Sequence, residues 1–315
     1  MNRKLIIVLL SLVMFTGCFC TNSIKCVKWR AKGDDVIFHV YWSCWGGIDS
    51  IQGDDLFVAN SEFKNKKKFF SSSCFYDHPS SLQNVIIQEY GRIVLVDIDT
   101  AKIRYIKEYP SPYPMNVGWS YTGEKYFMTD SIGLKLVTVD DHNEKLILKG
   151  KYYGLYLSPN EKFILLKSGR GWPDGNDIYL INTSNENKQT LYSISKGFIG
   201  EGYITKDGNT IIFSTEDYHK HISSLLKFDV MSRKVKEIYQ CPRKAEEDMK
   251  IIPTTNSEKV LLYAAGKLLL VNLSDSKYQI LADVYSSSTW DYNPNTKKVI
   301  YLNKPSNLKL IELRD

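Results

Sequence analysis

Short β-like runs separated by polar turns recur along most of the chain, and no stretch of comparable length carries a helical period. The clearest unit opens at Val117-Gly118-Trp119-Ser120, turns at Thr122-Gly123-Glu124, and continues through Lys125-Tyr126-Phe127-Met128. It then runs through Leu134 to Val139, turns at Asp141-His142-Asn143, and ends Lys145-Leu146-Ile147-Leu148. That spacing predicts four strands joined by hairpins. The first turn of the unit returns at Leu157-Ser158-Pro159-Asn160-Glu161-Lys162, at Ile204 to Asn209, at Pro253 to Glu258 and at Tyr292 to Lys297. Counted from residue 123 through 160, 208, 257 and 296, the intervals are 37, 48, 49 and 39.

A period in the forties built of four short strands is the signature of a β-propeller. The expected fold is therefore all-β: a single propeller of four-stranded antiparallel blades over residues 25–315. Earlier units are read from the turn at Ala31 to Asp35 and from Ile86 to Tyr90 with Ile93 to Asp97, which makes seven blades. Six blades, with residues 60 to 110 irregular, is the alternative. The last unit stops at Asp315 without a fourth strand, and Ser23 to Cys26 is the candidate to complete it, because an open sheet edge is a liability.

The first residues follow another pattern. Arg3 and Lys4 precede a stretch from Leu5 to Phe15 that is apolar apart from Ser11. Eleven helical residues span about half of a bilayer's hydrocarbon core, so the segment reads as an export signal and not as a mature span. The run Phe15-Thr16-Gly17-Cys18 resembles the lipobox of bacterial lipoproteins. The resemblance implies cleavage after residue 17, acylation of Cys18 (palmitate among the acyl chains), and a tether over 18–24. It also implies a place in the bacterial cell envelope, facing the periplasm or exterior. Several acyl chains hold a protein firmly where one does not.

Composition changes this picture little. Of 315 residues, 43% are hydrophobic and 13% aromatic, a bias that suits side chains on pleated sheets. Removing residues 1–17 lowers the formal charge from +6 to +4, too weak to single out an anionic partner, and export excludes nucleic acid. With Cys18 acylated, Cys20, Cys26, Cys44, Cys74 and Cys241 remain, an odd number, so at least one is unpaired or paired outside the chain. Cys44 with Cys74 is the preferred bridge, with other connectivities open.

Leu157-Ser158-Pro159-Asn160-Glu161-Lys162 followed by Asp177-Ile178-Tyr179-Leu180 resembles the repeat of Tol-system-like and WD-like propellers. Asn160 and Glu161 stand where that repeat has Asp-Gly. Such families mostly bind proteins, and some members are lyases or hydrolases, so the fold sets a prior without choosing a function.

In a four-stranded blade the turn between strands two and three opens on the same end as the link to the next blade. Surplus sequence there is expected over Tyr41 to Asp55, Ser168 to Asn176 and Thr215 to Ser223, with Tyr113 and Pro242 on links. Candidate binding residues are Trp172, Arg170 and Asp174, then Trp42, Trp45 and Tyr113, because Trp and Arg anchor interfaces and an indole also stacks on sugars. Trp residues filling the mouth between loops is the plainer reading. His219 and His221 would share one side of an extended segment, where a zinc ion with one further ligand fits. The spacing carries no fuller ligand set, and neither metal nor cofactor is assigned.

The chain has no G-x-S-x-G elbow, no H-E-x-x-H and no phosphate-cradling glycine loop. A binding module for a protein or envelope polymer is the leading expectation. A propeller hydrolase or lyase with acid and base groups on loops (Asp49, Arg170 and His219) and a scaffold without catalysis are its rivals.

Overall fold

The computed structural model describes all residues except 1–18, 30–34, 47–48, 61–63, 73–83, 90–91, 109–115, 120–123, 159–160, 170–175, 195–196, 206–207, 244–248, 288, 305–306 and 314–315. At some strand positions, among them 19–26 and 42–53, it describes the backbone alone. The first sheet holds β1 (Phe19–Trp29), β2 (Asp35–Gly46), β3 (Asp49–Asn60) and β4 (Lys67–Ser72), and the second β5 (Asn84–Glu89), β6 (Arg92–Asp97) and β7 (Ile103–Glu108). The third holds β8 (Asn116–Trp119), β9 (Lys125–Thr129), β10 (Gly133–Thr138) and β11 (Glu144–Lys149). The fourth holds β12 (Tyr153–Leu157), β13 (Phe163–Gly169), β14 (Asn176–Asn182) and β15 (Lys188–Ile194). The fifth holds β16 (Phe198–Ile204), β17 (Thr210–Asp217), β18 (Ile222–Asp229) and β19 (Lys234–Pro242). The sixth holds β20 (Lys250–Pro253), β21 (Lys259–Ala264), β22 (Lys267–Asn272) and β23 (Tyr278–Asp283), and the last β24 (Trp290–Asn293), β25 (Lys298–Lys304) and β26 (Asn307–Glu312).

Each sheet is an antiparallel meander, so the fold is all-β and propeller-like. The cores lie between neighbouring sheets, which explains why the second and third strands read as unbroken apolar runs. Consecutive residues of β17 face opposite ways: Ile211 and Phe213 pack with Leu165 and Ile178 of the fourth sheet, whereas Ile212 packs with Ile251 and Val260 of the sixth. Outer strands such as β11 and β23 are mostly exposed. The first and last sheets share a core too, in which Val27, Trp29 and Phe38 meet Ile300 and Leu302.

Two turn chemistries repeat. After the first strand, Ser158 Oγ accepts the Phe163 amide (2.9 Å) and Thr205 Oγ1 accepts that of Thr210 (3.0 Å). Before the last strand of a sheet, Asp97 Oδ1 (at the end of β6) accepts the Thr100 amide (2.8 Å), Asn182 Oδ1 that of Ser184 (2.9 Å) and Asn272 Oδ1 that of Ser274 (2.9 Å). These are side-chain-closed turns of the kind Asn, Asp, Ser and Thr form. The turns before the last strand of the first six sheets each place one residue in the left-handed region: Asn65, Ala101, His142, Glu186, Arg233 and Ser276, with φ between 55° and 63°. Their intervals of 36, 41, 44, 47 and 43 residues give the same period as the first-strand turns, from independent positions.

The structure corrects two expectations. Ser23 to Cys26 lies inside β1, paired with β2 in the first sheet, and does not complete the last sheet, where β24, β25 and β26 stand alone among the described residues. Residues 41–55 are not a loop either. β2 and β3 stay in register from Asp35↔Asn60 out to Gly46↔Asp49, and β1 pairs along them from Phe19↔Trp45, forming a three-stranded ribbon. β1 also begins at Phe19, within the segment expected as a tether.

Candidate functional site

In each four-stranded sheet, the turn between strands two and three and the links to the next sheet lie at one end; in the second sheet, whose three strands match the last three of a blade, the β5–β6 turn and the exit of β7 share that end. Among the described residues, six ionisable side chains of the acidic, lysine and histidine types are buried: His39, Asp97, Asp130, Lys167, Glu216 and Lys250. Asp97 closes the β6–β7 turn at the opposite end. The other five lie toward the loop end, so that end concentrates the groups that are costliest to bury and that need partners.

The two lysines among them find their partners on the neighbouring sheet. Lys167 Nζ donates to the carbonyls of Ile199 (3.0 Å) and Gly200 (2.8 Å), carrying β13 onto the first strand of the next sheet. Its ammonium also lies 5.0 Å from the Phe198 ring centroid. Gly154, at φ 67°, leaves room for that side chain, since a Cβ there would meet Lys167 Cε at 2.1 Å. Lys250 Nζ donates to the Trp290 carbonyl (2.9 Å), and Glu201 accepts the Ile251 amide (3.2 Å). Asp291 Oδ2 accepts the Trp29 amide at 2.8 Å, linking the last sheet to the first. Each of these charged groups bonds to the backbone of a neighbouring sheet, and so ties adjacent sheets together.

Three charge pairs stand closer to chemistry. Arg243, on the link after β19, donates from Nε to Glu216 Oε2 at 2.7 Å, and its guanidinium lies 4.2 Å from the Tyr218 ring centroid. Asp130 sits in the β9–β10 turn, where Oδ1 accepts the amides of Ile132 (2.8 Å) and Gly133 (3.1 Å) and Oδ2 meets Lys135 Nζ at 2.7 Å. At the ribbon's base, His39 Nε2 is in hydrogen-bonding contact with Asp54 Oδ1 across β2 and β3, and Cys26 is His39's register partner on β1. A buried imidazole held by a carboxylate is an arrangement that moves protons in many sites.

Burial raises the Asp130 pKa, but the Lys135 ammonium and the two turn amides outweigh it and hold the carboxyl below its ordinary value. A depressed carboxylate stabilises the fold above its unfolded pKa, and that stability is lost as pH falls through the folded value. Asp130→Asn should therefore lower stability by about 1–2 kcal/mol at pH 7 and by less near pH 3. Denaturant midpoints of both proteins across pH 3–7 check this; a gap that widens in acid contradicts it.

The residues singled out from sequence divide sharply. Arg170, Trp172, Asp174, Tyr113, Cys18 and Cys74 lie outside the described residues. Trp42, Cys44 and Trp45 lie on β2 within the ribbon, with their backbones described. His219 and His221 are exposed in the tight β17–β18 turn, where Asp217 Oδ1 accepts the amides of His219 and Lys220 (both 3.0 Å) and His221 is left-handed at φ 54°. They are not on an extended segment, so the alternation that would have set them side by side does not apply. No group of three metal-ligating side chains occurs among the described residues. The reading from sequence missed His39, Lys167, Glu216 and Lys250. A charged residue inside an apolar strand, as in Phe163-Ile164-Leu165-Leu166-Lys167, was the available signal.

No family model matches the chain, and no curated protein matches it. Solved structures do share its fold. Hydrazine synthase from Kuenenia stuttgartiensis superposes with a TM-score of 0.63 at 10% identity, over 91% of this chain and 94% of that one. The β-propeller domain of Cps50 (Swd1) from Myceliophteria thermophila gives 0.59 at 10% identity, over 95% and 100%. TolB from Acinetobacter baumannii gives 0.50 at 14% identity, over 82% and 78%. At such identities the likeness concerns the fold alone: a β-propeller-like architecture.

Proposed function

We propose that the chain is an extracytoplasmic, lipid-anchored propeller that binds a protein or envelope polymer across its loop end. In this reading residues 1–17 are the leader, Cys18 carries the lipid, and the remaining sheets form a closed seven-bladed ring. Seven meanders in chain order, with the Trp29 amide bonded to Asp291 and a core shared by the first and last sheets, support seven blades over six.

The observation that carries the binding reading is convergence. The β1–β3 ribbon and the strand ends Gly169 and Asn176, which flank residues 170–175, lie at the end where buried lysines brace neighbouring sheets. A rigid rim presenting Trp and Arg on loops is suited to recognition, because little ordering entropy is lost on contact. Arg170 and Trp172 are the proposed anchors, with Asp174, Trp42, Trp45 and Tyr113 around them. Replacing both anchors with Ala should weaken binding by about 30-fold or more, corresponding to at least about 2 kcal/mol. Co-sedimentation of full-length protein with isolated envelope polymer and photo-crosslinking from position 171 to envelope proteins read the two partner classes. Binding and crosslinking that survive the double replacement unchanged would remove this end from the interface.

The His39–Asp54 pair favours a second reading, a hydrolase or lyase with His39 as proton carrier. Turnover of an envelope glycan that disappears in His39→Gln while Trp172→Ala retains it would select that reading.

A further inference from the structure

The β1–β2 register places Cys20 directly opposite Cys44. We propose that these two residues are joined by a disulfide across the ribbon, an inference that rests on the export reading for its oxidising surroundings. Residues facing one another in an antiparallel pair have Cα atoms about 4.5 or 5.5 Å apart, and both separations fall within the range disulfides adopt. Facing residues also share one face of the sheet, so no backbone movement is needed to bring the two sulfurs together. Cys26 is in register with His39 and has no cysteine opposite it. Cys241 is buried in the fifth sheet's outer strand and is in no disulfide. With Cys18 acylated and Cys241 outside any disulfide, the odd count from the sequence resolves into four cysteines, of which Cys20 and Cys44 are the pair set in register among the described strands.

The position gives the bond a task. A three-stranded ribbon extending beyond its sheet gains little from a shared core, and long hairpins on their own are marginal in water. A cross-link near the ribbon's far end, one residue in from the Phe19↔Trp45 pair, holds β1 in place two residues after the proposed lipid site. The anchor would then join a folded arm and not a slack tether.

The chemistry balances by thiol–disulfide exchange. A thiolate of the pair attacks the disulfide of an envelope oxidant, or of oxidised glutathione in vitro, and releases one thiol. The second thiolate displaces the mixed disulfide, so two protons and two electrons leave the pair and the oxidant becomes two thiols.

The test uses full-length protein exported with its own leader, alkylated before reduction and digested with trypsin. Cys44 falls in the peptide 33–64 and Cys74 in 69–92, while cleavage after Lys25 separates Cys20 from Cys26. The expected result is the 33–64 peptide linked to the Cys20 peptide, separating on reduction, with Cys241 alkylated only after denaturation. A 33–64 peptide linked to 69–92, as the sequence alone preferred, or to the Cys26 peptide would overturn the inference, as would Cys44 alkylated without reduction. Cys44→Ser should expose Cys20 to alkylation, and Cys20→Ser should expose Cys44, so one poorly folding variant does not end the test. Leader retention would sink the export reading alone, because purified folded protein treated with oxidised glutathione must still form the Cys20–Cys44 link if the register is right.

Discussion

Replacing Trp290 with Ala should lower the unfolding free energy by about 3–5 kcal/mol, the usual cost of emptying a fully buried aromatic site. Trp290 has no exposed surface and packs with Leu261 and Tyr263 of the sixth sheet and with Tyr292 and Val299 of its own. Lys250 lies with Nζ 4.8 Å from the ring centroid and bonds the Trp290 carbonyl, so the same residue fills a core and seats a buried ammonium. Asp291 follows at once and reaches the first sheet. A cavity here therefore loosens both interfaces of the last sheet. Trp290→Phe separates volume from polarity. The indole Nε1 is buried with no hydrogen-bond partner among the described residues, so Phe gives up some packing but also removes that donor. Its cost should stay near about 1 kcal/mol. Urea midpoints for both variants check this, and equal losses would mean that the indole nitrogen matters more than the packing.

Arg243→Ala should be the next most costly change, at about 2–4 kcal/mol, because it strips a charge partner from a carboxylate whose side chain is 3% exposed. Glu216 is next to last in β17 and Arg243 comes from the link toward β20, so the pair ties the fifth sheet to the chain leaving it. The guanidinium also loses its seat on Tyr218. Glu216→Gln with Arg243→Met removes both charges and keeps much of the volume, and it should recover at least half of the loss. A double-mutant cycle in thermal or denaturant unfolding measures the coupling. If the double variant is no better than Arg243→Ala, the side-chain packing of Arg243 outweighs its charge.

Much of the fold was legible because both of its periods leave marks in sequence. Alternation along each strand gives sheets, and Ser158, Thr205 and Thr254 mark the first-strand turns through their hydroxyls. The turns before the last strand were harder to align. Their left-handed residues are Asn65, Ala101, His142, Glu186, Arg233 and Ser276, of which only Asn65 is a Gly or Asn, so the repeat is one of backbone shape and not of residue type. The ribbon was misread for a related reason. Trp42-Ser43-Cys44-Trp45-Gly46-Gly47 has the glycines of a turn, but only its far end turns, and a ribbon reaching past its sheet needs no buried face to set the alternation.

The candidate site was less legible than the fold. His39 and Asp54 lie 15 residues apart and meet through a diagonal across two strands, which only the register reveals. Lys167 and Lys250 look like solvent-facing positions in their strands, yet each turns its ammonium onto a carbonyl of the neighbouring sheet. A lysine within an apolar run marks the position, but the partner depends on how sheets are arranged around one another, which nothing local to either strand encodes.

Small-angle scattering of the full-length protein in detergent-free, leader-cleaved form tests the closed ring most directly. Seven sheets closed on themselves should behave as one compact domain, with a radius of gyration of about 19 Å for roughly 300 residues. Seven sheets packed at about 10 Å spacing in an open row would reach about 70 Å end to end, with a radius of gyration on the order of 24 Å. A value near the first supports closure between the first and last sheets through Trp29 and Asp291; a value near the second contradicts it.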